Sequence, residues 1–269
     1  MIRIKARMRK GIDFLCFSLR RAGRLALLFL MAANVVMVEQ PADAVPRETH
    51  EEKESNLKQQ ATGGLFHQWT FDKDERDKVP VGFVRRSWGE GQATWRVVPD
   101  ESAPSPPHVV AVSSHCAVAC YQLLLAEGLD YEYPDIAVRF RADGSAPAIG
   151  GVVLGVKDAA NFYAAVMNVA ERTVQVVRII EGKETVLAQT QVQWKPVDWH
   201  SLRVQRNTII SKDFIETFVD GTLMLSVEDQ MLGLGQVGLV THGNSSLFFD
   251  SFHAVPLFSH RPLSSPAAY

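Results

Sequence analysis

The stretch Asp135-Ile136-Ala137-Val138-Arg139-Phe140-Arg141-Ala142 turns Ile136, Val138 and Phe140 one way and Arg139 and Arg141 the other. A period of two is the signature of a strand with one face buried and one wet. Short apolar runs rich in Val, Ile, Phe and Trp recur from residue 67 to residue 255. They lie at 67–71, 93–98, 108–114, 121–127, 135–142, 149–156, 161–169, 173–180, 184–194, 199–206, 213–220, 222–228, 235–242 and 246–255. Such residues suit a pleated, half-buried surface. Glu181-Gly182-Lys183 and Asp220-Gly221 separate neighbouring runs, and Asp-Gly supplies the positive φ that tight hairpins require. Lys157-Asp158-Ala159-Ala160 reads as a further short loop. No run has a sustained 3.6-residue apolar period with caps at both ends, and no fixed repeat marks a propeller or solenoid. The pattern predicts an all-β chain folded as an antiparallel two-sheet sandwich or jelly roll.

The ends read differently. Eight Lys and Arg precede the apolar run Leu25 to Val38, and Ala42-Asp43-Ala44 follows it. A basic segment, an apolar segment and a small-residue cleavage site form a secretory leader. The run falls short of the roughly 20 residues a spanning helix needs. The expectation is therefore a signal peptide over 1–44 and an exported protein, periplasmic or extracellular, with no membrane span after cleavage. Cleavage removes eight basic and three acidic residues, so a chain of net charge −2 becomes more acidic. Such a domain lacks the basic footprint of a nucleic-acid binder and the basic patch that holds a protein on anionic lipid. Residues 45–64 are polar and charged, cannot bury enough apolar surface to offset chain entropy, and read as a flexible linker. Residues 258–269 are rich in Pro and Ser and read as a disordered tail. The sandwich is expected over 65–257.

The stretches WTFDKDERDKVPVGF, GGVVLGVKDAANFYAAVMN, VDWHSLRVQ, FIETFVDGTLMLSVED and GQVGLVTHGNSSLFFDSFHAV carry a resemblance. Together they resemble the concanavalin A-like, laminin-G-like jelly rolls, on the branch related to bacterial exported keto-disaccharide hydrolase domains. The resemblance spans Trp69 to Val255 and implies that the last strand closes beside the first. It implies a partner among glycans, peptides or proteins, and in some members glycosidase activity. Fold alone does not choose among these.

A glycosidase needs two carboxyl groups about 5–10 Å apart. Asp130 and Glu132 have strand spacing, but Pro134 interrupts the run, and both read as solvated residues ahead of the strand that follows. Glu228 and Asp229 are adjacent and face opposite sides of a strand. No catalytic pair is predicted. No Gly-x-Ser-x-Gly elbow and no phosphate-cradling Gly-rich loop occurs in the mature region.

Ser113 to Cys120 holds His115, Cys116 and Cys120. Extended, the two cysteines would lie about 13 Å apart, beyond the ~7 Å reach of a disulfide. If the segment turns between two strands, export favours a Cys116–Cys120 bond. Two free thiols and a metal or redox role are the alternatives. The resemblance also raises a structural calcium near the paired terminal strands, with Asp72 and Asp250 as ligands. The alternative is that Asp72 caps a turn and Asp250 accepts backbone hydrogen bonds; no other cofactor is expected. Ligand contact is expected on the concave sheet, where sugars favour aromatic platforms with flanking polar groups. Trp88, Arg139, Tyr163, Arg178 and His242 are the candidates, while Trp69, Trp95, Trp194 and Trp199 are assigned to packing. Three readings remain: an exported non-catalytic module binding a carbohydrate or cell-envelope component, a sugar-acting hydrolase, and a structural envelope protein that binds another protein.

Overall fold

The computed structural model describes residues 67–116, 120–144, 147–195 and 198–257. The predicted leader, linker and tail, and the first two residues of the predicted domain, lie outside these. Among the described residues there is no helix, and every long element is a strand.

Among the described residues, fifteen strands form two antiparallel sheets. The eight-stranded sheet runs, in spatial order, β13 (Thr222–Glu228), β12 (Lys212–Val219), β11 (His200–Ile209), β6 (Pro134–Ala142), β15 (Ser245–Pro256), β4 (His108–Cys116) and β3 (Gly91–Pro99). Its eighth strand, β1 (His67–Trp69), pairs with the far half of β15, so the last strand does close beside the first. The seven-stranded sheet runs β10 (Lys183–Gln191), β9 (Thr173–Ile180), β8 (Asn161–Asn168), β7 (Ile149–Asp158), β14 (Gly235–His242), β5 (Tyr121–Tyr131) and β2 (Phe83–Trp88). The architecture is the expected antiparallel jelly roll.

Local chemistry explains the elements. In β6, Ile136, Val138 and Phe140 are buried between the sheets while Arg139 is exposed, as the alternation requires. Both predicted hairpins form. Glu181 and Gly182 join β9 to β10 and both have positive φ, as do Asp220 and Gly221 between β12 and β13. Two boundaries differ from expectation. β5 continues past residue 127 to Tyr131, and Glu132 is buried rather than solvated. β2, with the sequence FVRRSW, was not predicted at all, because its three consecutive polar residues hide the apolar positions on either side.

The core between the sheets draws on both. Trp95 stacks on Phe249 and Trp69 on Phe252, with ring centroids 6.0 and 5.2 Å apart. Trp194 is buried against Phe140, and half-buried Trp199 lies under the Arg141 guanidinium. Polar pins cross the interior. Tyr131 of β5 donates to the Ala254 carbonyl of β15 at 3.2 Å. At one end Arg206, 3 % exposed, donates to the Asp213 carboxylate at 2.7 Å and to the Glu132 carbonyl at 3.2 Å.

Arg206→Met leaves the buried Asp213 carboxylate without its cation. The expected loss of unfolding free energy is about 3–5 kcal/mol, measured by urea denaturation. A loss below about 1 kcal/mol would show that the pair is effectively solvated.

Candidate functional site

The seven-stranded sheet is apolar on both faces. Leu124, Ala126, Tyr163, Ala165 and Leu239 join the core between the sheets. Their neighbours Leu123, Leu125, Phe162, Ala164, Val177 and Val240 form a second buried cluster on the other face. The sequence carries this signal: β5 and β8 contain unbroken apolar runs, which mark strands covered on both sides.

Contacts across the second face show how the sheet closes on itself. Tyr121 of β5 and Phe162 of β8 are separated by β14 and β7, about 14 Å of flat sheet. Their ring centroids are 5.5 Å apart. The Tyr121 hydroxyl donates to Glu184 of β10 at 2.8 Å. Trp88 of β2 packs on the β9–β10 turn, where a Cβ on Gly182 would overlap the indole. The twist natural to a sheet brings two diagonal corners together over this face.

The five predicted ligand residues therefore do not share a surface. Trp88 and His242 meet in the closed corner, where the His242 ring stacks on Tyr121 at 4.4 Å. Burial holds the His242 imidazole below its ordinary pKa, against a smaller opposing pull from Glu184. Tyr163 and Arg178 lie at the rim of the interior, and both donate to the Asp229 carboxylate. The Tyr163 hydroxyl also accepts the Leu232 amide at 3.0 Å, and burial raises its pKa. Tyr163 is fully buried, so it offers no ligand surface. Arg139 is exposed on the outer face of the other sheet, in register with Asp250 and Ser201.

Asp72 and Asp250 do converge, on Ser105. Asp250 accepts the Ser105 and Ser251 amides at 2.7 and 2.6 Å, and Asp72 accepts the Ser105 hydroxyl at 3.2 Å. Burial raises the Asp250 pKa, the two amides lower it, and Asp72 adds a smaller rise. Calcium takes six to eight oxygens. Both Asp250 oxygens are already committed to backbone amides, and only Asp72 Oδ1 is buried without a partner. The residues present do not fit the ion, and among the described residues no three His, Cys, Asp or Glu side chains cluster as metal ligands.

Cys116 and Cys120 form a disulfide, with Cα atoms 5.9 Å apart. β4 ends at Cys116 and β5 begins at Tyr121, so the bond lies where the two strands approach. The bond abuts the start of β3: a Cβ on Gly91 would lie 2.7 Å from the Cys120 sulfur, so only glycine fits there.

Beside that glycine a cleft of about 260 Å³ opens between the edges of the two sheets. Arg85, Arg86 and Ser87 of β2 line one wall, and Gly91, Gln92 and Ala93 of β3 the other. Gln122 and Trp95 lie deeper; both are buried. No lining residue is acidic. Sequence reasoning missed this site because it missed β2. The available signal was the Arg-Arg pair between Phe83 and Trp88.

No protein-family model matches the chain, and no curated protein matches it in sequence. Solved structures do. The carbohydrate binding module CBM66 from Bacillus subtilis aligns with a TM-score of 0.51 at 16% identity, covering 65% of this chain and 95% of that chain. A Bacillus subtilis protein of unknown function with a galectin-like fold aligns with a TM-score of 0.50 at 12% identity, covering 71% of this chain and 96% of that chain. The likeness is one of fold, and the fold is the concanavalin A-like jelly roll.

Two measurements check this geometry. The folded state keeps His242 neutral, whereas the unfolded chain takes up the proton near pH ~6.5. Stability from this group is complete above that pH and falls as pH drops towards the lower folded value. The urea midpoint should therefore drop less between pH 7 and pH 5.5 in His242→Phe than in the parent; identical drops would count against the buried ring. Separately, EDTA should leave the thermal midpoint unchanged. A lower midpoint that added calcium restores would return the ion to Asp72 and Asp250.

Proposed function

We propose that this chain is an exported, non-catalytic carbohydrate-binding module that takes its ligand at the sandwich edge between β2 and β3. The observation that carries the reading is the cleft itself. It places guanidinium, hydroxyl and amide groups around one opening in a fold whose solved neighbours include a carbohydrate binding module. Saccharide hydroxyls are recognised by donors and acceptors of this kind. Its volume is below the roughly 300–1,000 Å³ of enclosed small-molecule pockets, which suits one or two sugar units at a time. Support for a binding role comes from the lining: a glycosidase needs two opposed carboxyl groups, and the cleft wall is built from cationic and neutral side chains. Support for export comes from the basic, apolar and small-residue succession at the N-terminus.

The concave-sheet site is replaced in this reading, because the apolar face there is closed by its own corners. A carbohydrate or cell-envelope glycan remains the partner.

A glycan array probed with chain lacking residues 1–44 tests the proposal. Binding is expected, and Gln92→Ala should weaken it about tenfold, the effect of one lost hydrogen bond at a desolvated contact. Silence across the array would shift the assignment to a protein partner. Release of reducing sugar from a bound glycan would make the protein a hydrolase.

A further inference from the structure

We propose that the cleft selects acidic saccharides, those carrying a uronate carboxylate, and that Arg85 is the residue that reads the charge. This rests on the carbohydrate-binding reading and names its ligand class.

The argument starts from strand parity. On β2, Phe83 is 7 % exposed in the core between the sheets, while Val84 and Trp88 turn to the second cluster. Arg85 and Ser87 share the parity of Phe83 and so point toward the sandwich interior. In a central strand that direction would bury a guanidinium. Here β2 is the edge of one sheet and β3 the edge of the other, and the gap between them is the cleft. Arg85 is thus aimed inward yet reaches water.

An inward charge on an edge strand also blocks edge-to-edge pairing, a role that needs no ligand. That role does not account for the rest of the wall. Gln122 lies opposite Ser87 in the β2–β5 register and is 4 % exposed. Among the described residues its side-chain amide donates only to the Cys120 sulfur, at 3.4 Å, and sulfur is a weak acceptor. A buried amide with so little to bind, lining an open cleft, is suited to an oxygen-rich ligand. The cations are also unspent. Arg86 turns back to the Arg85 carbonyl at 2.9 Å, and no carboxylate pairs with either guanidinium among the described residues. The chain as a whole carries net charge −2, so the two arginines do not reflect an overall basic composition.

A guanidinium presents a planar fork that a carboxylate matches with two parallel hydrogen bonds. A uronate adds ring hydroxyls, which Ser87, Gln92 and Gln122 can read. The disulfide packs on Gly91 at the start of the β3 wall.

The test is calorimetric titration of the mature protein with galacturonate, glucuronate and mannuronate oligomers, with their methyl esters, and with neutral oligosaccharides. Esterification keeps the shape and removes the charge. Acidic oligomers should bind at least about tenfold tighter than their esters, and less tightly as salt rises. Arg85→Gln should remove the discrimination, so that acid and ester bind the variant with equal affinity. Arg85→Lys, which keeps charge without the fork, should fall between. Equal binding of acids and esters, or discrimination that survives Arg85→Gln, overturns the inference. Neutral oligosaccharides binding where no uronate does would overturn it and keep the carbohydrate reading. Binding of no saccharide would overturn both.

Discussion

The seven-stranded sheet has to keep water off both of its faces, and the rest of the molecule is arranged around that requirement. One face is covered in the ordinary way, by a second sheet whose inner residues include Ile136, Phe140 and Phe249. The other has no third layer among the described residues. Leu123, Phe162, Val177 and Val240 on that face are fully buried. Sheet twist lifts diagonal corners toward the same side. Trp88, Tyr121 and the turn at Gly182 use that lift to meet over the apolar surface. A glycine at the turn matters because the indole occupies the space a side chain would fill.

Closing one face leaves the sandwich edge as the place where polar groups can converge. At this edge the short link from β2 to β3 and the Cys116–Cys120 bond between the end of β4 and the start of β5 both join the two sheets. Edge strands have unpaired backbone on one side and room for charged side chains. The Cys116–Cys120 bond stiffens this corner through its contact with Gly91. Elsewhere the rims are fastened by buried polar pairs such as Arg206 with Asp213 and Tyr163 with Asp229. Tyr163 with Asp229 ties β8 of one sheet to the residue after β13 of the other, whereas Arg206 with Asp213 joins neighbouring strands of one sheet; such pairs are costly to break singly. The Asp72–Ser105–Asp250 cluster has the same character, being satisfied largely by the protein's own amides.

Much of the fold was legible in the residues. Alternation in β6, the turn chemistry at Glu181-Gly182 and Asp220-Gly221, and the continuous apolar runs of β5 and β8 each follow from local physics. The site was less legible. Tyr163 and Arg178 carry polar groups and were expected at a binding face, yet they lie on the interior side of β8 and β9 and share Asp229. Period two tells which residues share a face; it does not tell which face meets the other sheet. β2 was missed because Arg85, Arg86 and Ser87 break the apolar pattern, and that same break makes the strand a cleft wall.

By itself, the sequence determined an all-β chain with tight hairpins and two cysteines placed near a turn. These are local properties, set by side-chain alternation and by backbone preferences within a few residues. Only the tertiary structure decided that the second face closes on itself, that Arg85 points inward at an open edge, and that Asp72 and Asp250 meet at Ser105. Those outcomes depend on sheet twist and strand order, which bring residues far apart in the chain within a few ångströms of one another, and no short stretch of sequence encodes them.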